Sequence, residues 1–103
     1  MKHREIIGRW LDERPLLGDK ITLYREADKY YLETWFSDGC HSRDEVLLTD
    51  TPEGKKVEDV GGNMFGEFLM VTPALELQFC NDEGCFFQTD KRIADHQVSL
   101  SVA

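Results

Sequence analysis

Cysteine and histidine are the residues with which this chain could bind a metal or attack a substrate, and it has three of each. Cys40 and His41 are adjacent, whereas Cys80 and Cys85 are separated by four residues. Zinc ligands usually come in pairs spaced by about two to four residues on a tight turn. Neighbouring strand residues point to opposite faces, so Cys40 and His41 would diverge. The sequence therefore predicts no metal site.

A cysteine nucleophile is disfavoured for a similar reason. Such a residue needs a lowered pKa and a histidine within hydrogen-bond reach. His3 and His96 lie near the termini, where order is least expected. Gly61-Gly62-Asn63 lacks the lysine and the following helix of a phosphate-binding loop. We therefore expect a protein that is not an enzyme and that carries no cofactor.

Adjacent acids form a third group of candidates, at Asp44-Glu45, Glu58-Asp59 and Asp82-Glu83. Acid–base catalysis requires carboxylates that converge on a pocket. Adjacent side chains on strands and turns diverge instead. We expect each pair to be solvated surface.

Cys80 and Cys85 flank a four-residue segment that predicts a hairpin loop. The hairpin would set the two cysteines opposite each other, and a disulfide could then form if their Cα atoms lie about 5.5 Å apart. An odd number of cysteines argues against a fully paired secreted scaffold and favours reduced thiols. Two unpaired thiols are thus the preferred interpretation, together with a cytoplasmic location.

The elements that position these residues are predicted to be strands. Turn signals recur at short intervals, and the segments between them alternate between apolar and polar residues, as half-buried strands do. For example, Ile21 and Leu23 share one face, and Leu75, Leu77 and Phe79 share another. The predicted strands lie near residues 6–12, 19–26, 29–37, 40–48, 55–60, 63–72, 74–80 and 85–91.

Short connections favour antiparallel neighbours, and hence a meander. Asp38-Gly39 predicts a type I′ hairpin turn, because both central residues of that turn need positive φ. The only helical candidate is the turn or two from Lys2 to Ile7, so the predicted helix content is low.

Size and charge limit the function of this meander. The chain has 103 residues, which predicts a single domain over residues 1–103. Its 12 basic and 20 acidic residues give a net charge of −8, which disfavours nucleic acid and anionic membranes as partners. No segment approaches the roughly 20 apolar residues of a membrane span, and we expect no signal peptide.

Gly8-Arg9-Trp10 stands at the start of the first predicted strand. The motif resembles the G-x-W that opens the first strand of lipocalins, fatty-acid-binding proteins and avidins, in which the tryptophan packs across one end of the barrel. The resemblance implies a lipocalin-like (calycin-type) fold: an all-β antiparallel meander of seven or eight strands, curled into a small or partly open barrel. Closure of such a sheet removes its exposed edges.

The resemblance also implies a function, provided that the interior is open. An apolar pocket would then bind a small hydrophobic ligand, with a lining of Leu23, Leu32, Phe36, Phe65, Leu69, Leu77 and Phe79. A barrel of about eight strands is just wide enough to hold one small ligand or to be filled by side chains. Ligand binding is the preferred hypothesis.

The alternative applies to a filled interior. Exposed aromatics and the acidic surface would then serve a basic protein partner, in the manner of an inhibitor or immunity-type protein. Acids near loops would raise the association rate by electrostatic steering: Asp38, Asp50, Glu53, Asp82 and Glu83.

Overall fold

The computed structural model describes residues 3–14, 18–62, 66–89 and 92. They form one eight-stranded antiparallel sheet in which each strand pairs with the next along the chain. The strands are β1 (Arg4–Asp12), β2 (Asp19–Glu26), β3 (Lys29–Trp35), β4 (His41–Thr51), β5 (Gly54–Asp59), β6 (Phe68–Val71), β7 (Leu77–Asn81) and β8 (Gly84–Thr89). The predicted all-β meander is confirmed.

The sheet curls strongly into an open half-barrel whose edge strands, β1 and β8, meet at one corner. There the Thr89 hydroxyl donates a hydrogen bond of 2.8 Å to the Leu11 carbonyl. Trp10 and Arg92 add an isolated antiparallel bridge beside it. In the strand order of the described sheet, β1 and β8 are the two ends and form no ladder with each other.

The concave face of the sheet carries the core. Ile21 and Leu23 point inward from β2, as their alternation predicts, and Tyr24 points outward. The buried cluster comprises Trp10, Ile21, Leu23, Val46, Val57, Val71 and Leu77. Burial of each such side chain contributes about 1.5–3 kcal/mol, so this cluster supplies the main driving force for the curl.

The two ends of the half-barrel differ. In a meander the connections alternate between ends, so the β2–β3, β4–β5 and β6–β7 connections share one end, here called the closed end. Trp10 is fully buried, and its indole N–H donates a 2.8 Å hydrogen bond to the carbonyl of Leu75 in the β6–β7 connection. The predicted packing of Trp10 at one end of the barrel is confirmed.

The convex face has a second layer made of arginines. Tyr24 is fully buried there, because the Arg4 guanidinium lies 4.5 Å from its ring centroid and Arg43 donates a hydrogen bond to its hydroxyl. Arg43 also lies 4.0 Å above the ring of Tyr31. Long side chains therefore cover aromatic rings that cannot fit inside the small interior.

The one helical candidate, from Lys2 to Ile7, is not helical where it is described, and the predicted low helix content is confirmed for the described residues. Arg4, Glu5 and Ile6 belong to β1 and pair with Glu26, Arg25 and Tyr24 of β2. A short helix gains too few hydrogen bonds to compete with a long ladder on an existing strand. The described residues contain no helix, and thus none with the length and apolarity to cross a bilayer.

The β3–β4 hairpin exists, but the predicted type I′ turn at Asp38-Gly39 is wrong. Only Gly39 has positive φ (93°), and the Gly39 amide donates to the carbonyl of Phe36. The amide of Phe36 in turn donates to the Cys40 carbonyl. This is the pattern of a three-residue loop closed by a left-handed glycine, and the Asp38 carboxylate supports it by accepting the Cys40 amide.

The strands predicted at 63–72 and 74–80 are shorter than expected. Residues 63–65 lie outside the described part of the chain, and β6 begins at Phe68. Leu75 is not in a strand: it has a φ of 64° in a turn in which its amide donates to the Thr72 carbonyl. Leu77 and Phe79 do share a face, as predicted.

Cys80 and Cys85 form a disulfide, so the preferred interpretation of two unpaired thiols is wrong. The two residues are direct partners in the β7–β8 ladder. Cys40 is the remaining free thiol, and it is exposed. Disulfides persist mainly in oxidising environments, so the cysteines no longer support a cytoplasmic location, which stays a prediction.

Candidate functional site

A cavity of about 390 Å³ opens from the concave face at the end of the half-barrel opposite to Trp10. This cavity is called the cup. The apolar side chains of its wall come from β2 to β7: Ile21, Leu32, Val46, Val57, Leu69 and Phe79. Four aromatic residues line the cup, namely Phe36, Phe68, Phe79 and Phe86.

The register of the sheet places these side chains on one surface. Ile21 pairs with Thr34, Val57 with Leu69, and Leu69 with Phe79. Directly paired residues in an antiparallel sheet project from the same face. Six successive strands, β2 to β7, thus contribute to one apolar wall.

The residues predicted to bind a ligand are divided between the cup and the core. Leu32, Phe36, Leu69 and Phe79 line the cup. Leu23 and Leu77 are fully buried in the core, and Phe65 lies outside the described residues. The interior is therefore filled around Leu23 and Leu77 and hollow at the open end.

Carboxylates surround the open end of the cup. Five of them belong to its lining and are called the acidic mouth: Asp12, Asp19, Asp44, Asp59 and Glu67. Arg14 is the one cationic residue among the described lining residues. The acidic mouth therefore has a negative charge that the protein itself offsets only in part.

Strand ends place these acids together. Asp12 ends β1, Asp19 begins β2, and Asp59 ends β5, all at the open end. Asp44 and Asp59 line the cup without their neighbours Glu45 and Glu58, and they converge there with acids from other strands. The expectation that both pairs are merely solvated surface is corrected for these two residues.

Asp12 and Arg14 form the best-defined contact of the acidic mouth. The Arg14 guanidinium donates three hydrogen bonds to the Asp12 carboxylate, at 3.1 and 3.3 Å from Nε and at 2.8 Å from Nη2, and its backbone amide donates a fourth at 3.0 Å. Burial of Asp12 opposes its ionisation, but these hydrogen bonds outweigh burial, and the pKa of Asp12 lies below its usual value. The Asp12 carboxylate is therefore ionised, and Arg14 compensates its negative charge.

Arg14 is also fixed by aromatic contacts. Its guanidinium lies 3.9 Å from the ring centroid of Phe87 and 4.5 Å from that of Phe79. It thus connects the end of β1 to the β7–β8 hairpin and forms one side of the cup. Asp12 is the acid of the mouth that accepts hydrogen bonds from Arg14, and Asp19 interacts with the same guanidinium through charge alone.

The other four acids have no cationic partner within ion-pairing distance among the described residues. Asp19 accepts the Ser37 amide and Asp59 accepts the Gly61 amide, each at 2.8 Å. Asp44 and Glu67 have no hydrogen-bond or ionic partner in the described part of the chain.

Replacing Arg14 by glutamine is expected to reduce stability more at neutral than at acidic pH. With its pKa lowered, Asp12 stabilises the fold above its unfolded-state pKa near 3.8, and this contribution disappears as pH falls through the folded-state pKa. Arg14→Gln leaves a buried, less compensated carboxylate, which costs about 1–2 kcal/mol at pH 7, given the partial exposure of Arg14. Urea titrations at about pH 7 and pH 3 measure the difference.

Arg25→Gln is the matched control, because Arg25 makes only an exposed ion pair of 3.9 Å with Glu5. It should cost at most about 0.5 kcal/mol and show little dependence on pH. An Arg14→Gln deficit of equal size at both pH values would mean that the contacts with Phe79 and Phe87, rather than Asp12, account for the effect.

The residues considered for nucleophilic chemistry lie away from the cup. His41 contacts Glu33 at 2.9 Å and stacks on Trp35 on the convex face. The Asp38 carboxylate raises the pKa of the exposed Cys40 thiol, which is the opposite of activation. The described residues contain no group of three metal-ligating side chains. That the protein is not an enzyme stays a prediction.

The fold and the site define a class: a small, open, antiparallel half-barrel with an apolar cup and an acidic mouth. No protein-family model, curated protein or solved structure matches the chain. The lipocalin-like resemblance, which rests on Gly8-Arg9-Trp10 and on the strand rhythm, therefore stays a prediction.

Proposed function

We propose that this protein binds a small, largely apolar ligand in the cup. The supporting observation is an apolar wall around about 390 Å³ of space, within the range of about 300–1,000 Å³ that is typical of ligand pockets. The volume suits a body of one or two fused rings or a short branched chain. Leu32, Leu69 and Phe79 would contact this body.

Packing favours ligand binding over a fully filled barrel. Trp10, Leu23 and Leu77 are fully buried and do not line the cup, so packed side chains bound it on the side of the closed end, where a separate cavity of about 350 Å³ lies. A preformed, one-ended cavity orders few side chains when a ligand enters, which lowers the cost of binding.

Titration with a neutral bicyclic probe, 2-naphthylmethanol, tests the proposal. We expect saturable binding with a dissociation constant on the order of 0.1–1 mM, from the efficiency of small ligands. Amide chemical-shift changes should centre on the residues that line the cup. Thr34→Trp should weaken binding at least about tenfold, because Thr34 lines the cup and an indole would occupy its space.

Thr49→Trp is the control, since Thr49 is an exposed residue of β4 on the opposite face to Val46 and Leu48. It should retain the affinity of the unmodified protein. Shifts that stay outside the cup, or equal affinity in Thr34→Trp and Thr49→Trp, would refute ligand binding at this site.

The alternative, a basic protein partner, receives less support from the placement of the loop acids. Asp38, Asp82 and Glu83 lie in connections at the open end, whereas Asp50 and Glu53 lie at the β4–β5 connection of the closed end. Asp50 is also engaged by Lys55 at 2.8 Å. These five acids therefore do not form one continuous patch.

A further inference from the structure

We infer that the ligand of the cup is an amphipathic organic cation, with its apolar body in the cup and its ammonium group in the acidic mouth. This inference rests on the proposed function and specifies the chemistry of the ligand. It depends on two features that coincide at one end of one cavity: uncompensated carboxylates and exposed aromatic rings.

The first feature is charge. Asp44 and Glu67 line the cup without an ionic or hydrogen-bond partner in the described part of the chain. Asp59 accepts one backbone amide, which leaves its second oxygen available. The three residues are exposed, so water weakens each single charge, but carboxylates grouped around an apolar cleft together attract a cation and repel an anion.

The second feature is the set of rings beside these carboxylates. Phe36 and Phe86 line the cup and remain 40% and 56% exposed. The face of a phenyl ring attracts cations. Neighbouring rings already show this preference, because Arg14 lies over Phe79 and Lys56 lies 4.6 Å above Phe68. No cation lies over the ring of Phe36 or Phe86 in the described structure, so the ammonium group of a ligand could bind there.

A small amphiphile fits these features better than a basic polypeptide. The carboxylates and the apolar wall line one cavity, and Asp44 is the direct partner of Leu32 in the β3–β4 ladder, so a ligand in the cup lies against both. A molecule with one charged end and one apolar body contacts the carboxylates and the apolar wall at the same time. A lysine-rich chain would reach the acids but leave the apolar wall in contact with water.

Three probes with one naphthyl body test the charge preference: the cation 2-naphthylmethylamine, the neutral 2-naphthylmethanol and the anion 2-naphthoate. Calorimetric titrations should give about tenfold tighter binding for the cation than for the neutral probe, and weaker binding for the anion. Raising the salt from about 20 to about 300 mM should reduce this preference severalfold and leave the neutral probe unchanged.

The double variant Asp44→Asn/Glu67→Gln should lose about tenfold in affinity for the cation and keep its affinity for the neutral probe. Asp28→Asn is the control, since Asp28 lies in the β2–β3 turn at the closed end and does not line the cup. It should change no affinity by more than about twofold. The double variant should also fold normally, because it removes repulsion between like charges, and circular dichroism would verify this.

The outcomes separate the two proposals. If the neutral probe binds in the cup and the cation binds no better, the inference is overturned while ligand binding stands. If no probe binds, both proposals fail. The last probe is a lysine-rich hexapeptide without aromatic residues. If it binds more tightly than the naphthyl cation, the ligand is a basic polypeptide and the inference is wrong.

Discussion

Replacing Trp10 by alanine is expected to lower the free energy of unfolding by about 3–5 kcal/mol, the usual cost of truncating a buried aromatic side chain. Trp10 is fully buried within the core cluster and donates the hydrogen bond that attaches β1 to the β6–β7 connection. Small domains have a total stability of about 5–15 kcal/mol, so this variant should lose a large part of it. Urea unfolding followed by far-ultraviolet circular dichroism provides the measurement.

Trp35 is a matched control within the same chain, because it is the other tryptophan and is 49% exposed. Its ring stacks on His41 at the convex surface. Trp35→Ala should cost no more than about 1 kcal/mol. Similar losses for the two variants would contradict the role of Trp10 in closing one end of the barrel.

The strand order was accessible from the sequence because its signals are local. Period-two alternation and short turns depend on residues that are close along the chain, and a meander pairs such neighbours. Strand β2, for example, has the predicted bounds of 19 and 26. Errors occur where a local signal has to compete with tertiary pairing, as at Arg4–Ile6, which extend β1 along β2.

The cup was only partly predictable. The resemblance through Gly8-Arg9-Trp10 implied an apolar pocket, and four of its expected residues line the cavity. Which of the inward-facing residues fill space and which leave it empty depends on how far the sheet curls. That curvature is set by packing across the whole barrel, so Leu23 and Leu77 could not be told apart from Leu32 and Leu69 by alternation.

The acidic mouth was missed although a signal for it exists. Asp12, Asp19 and Asp59 stand at strand ends that a meander brings to the same end of the barrel. Considering only adjacent acids hid this arrangement, because Asp12 and Asp19 belong to none of the three pairs. Inspecting strand ends, rather than adjacent residues, would have indicated the cluster.

The disulfide could not be predicted from the sequence for a different reason. The hairpin spacing correctly set Cys80 opposite Cys85, but a count of cysteines cannot report an oxidation state. The bond joins β7 to β8 at the open end, where Cys80 also lines the cup. One covalent link therefore holds the hairpin that Arg14 contacts through Phe79 and Phe87.

Gly8→Ala is expected to destabilise the protein by about 1–3 kcal/mol, as overpacking of a core does. A Cβ atom built at Gly8 would lie 2.3 and 2.5 Å from two atoms of the Trp10 ring, which packs over this glycine. The indole would have to leave a site in which it is fully buried and hydrogen-bonded to Leu75. The G-x-W spacing is thus explained by sterics: glycine makes room for the ring two residues later on the same face.

A double-mutant cycle measures this coupling directly. In the Trp10→Ala background the clash is absent, so Gly8→Ala should become neutral or stabilise by up to about 1 kcal/mol, because alanine restricts the unfolded chain. Gly61→Ala serves as the control, since a Cβ there meets only an Asp59 carboxylate oxygen at 3.3 Å. An equal cost of Gly8→Ala in both backgrounds would show that the glycine is required by the backbone and not by the tryptophan.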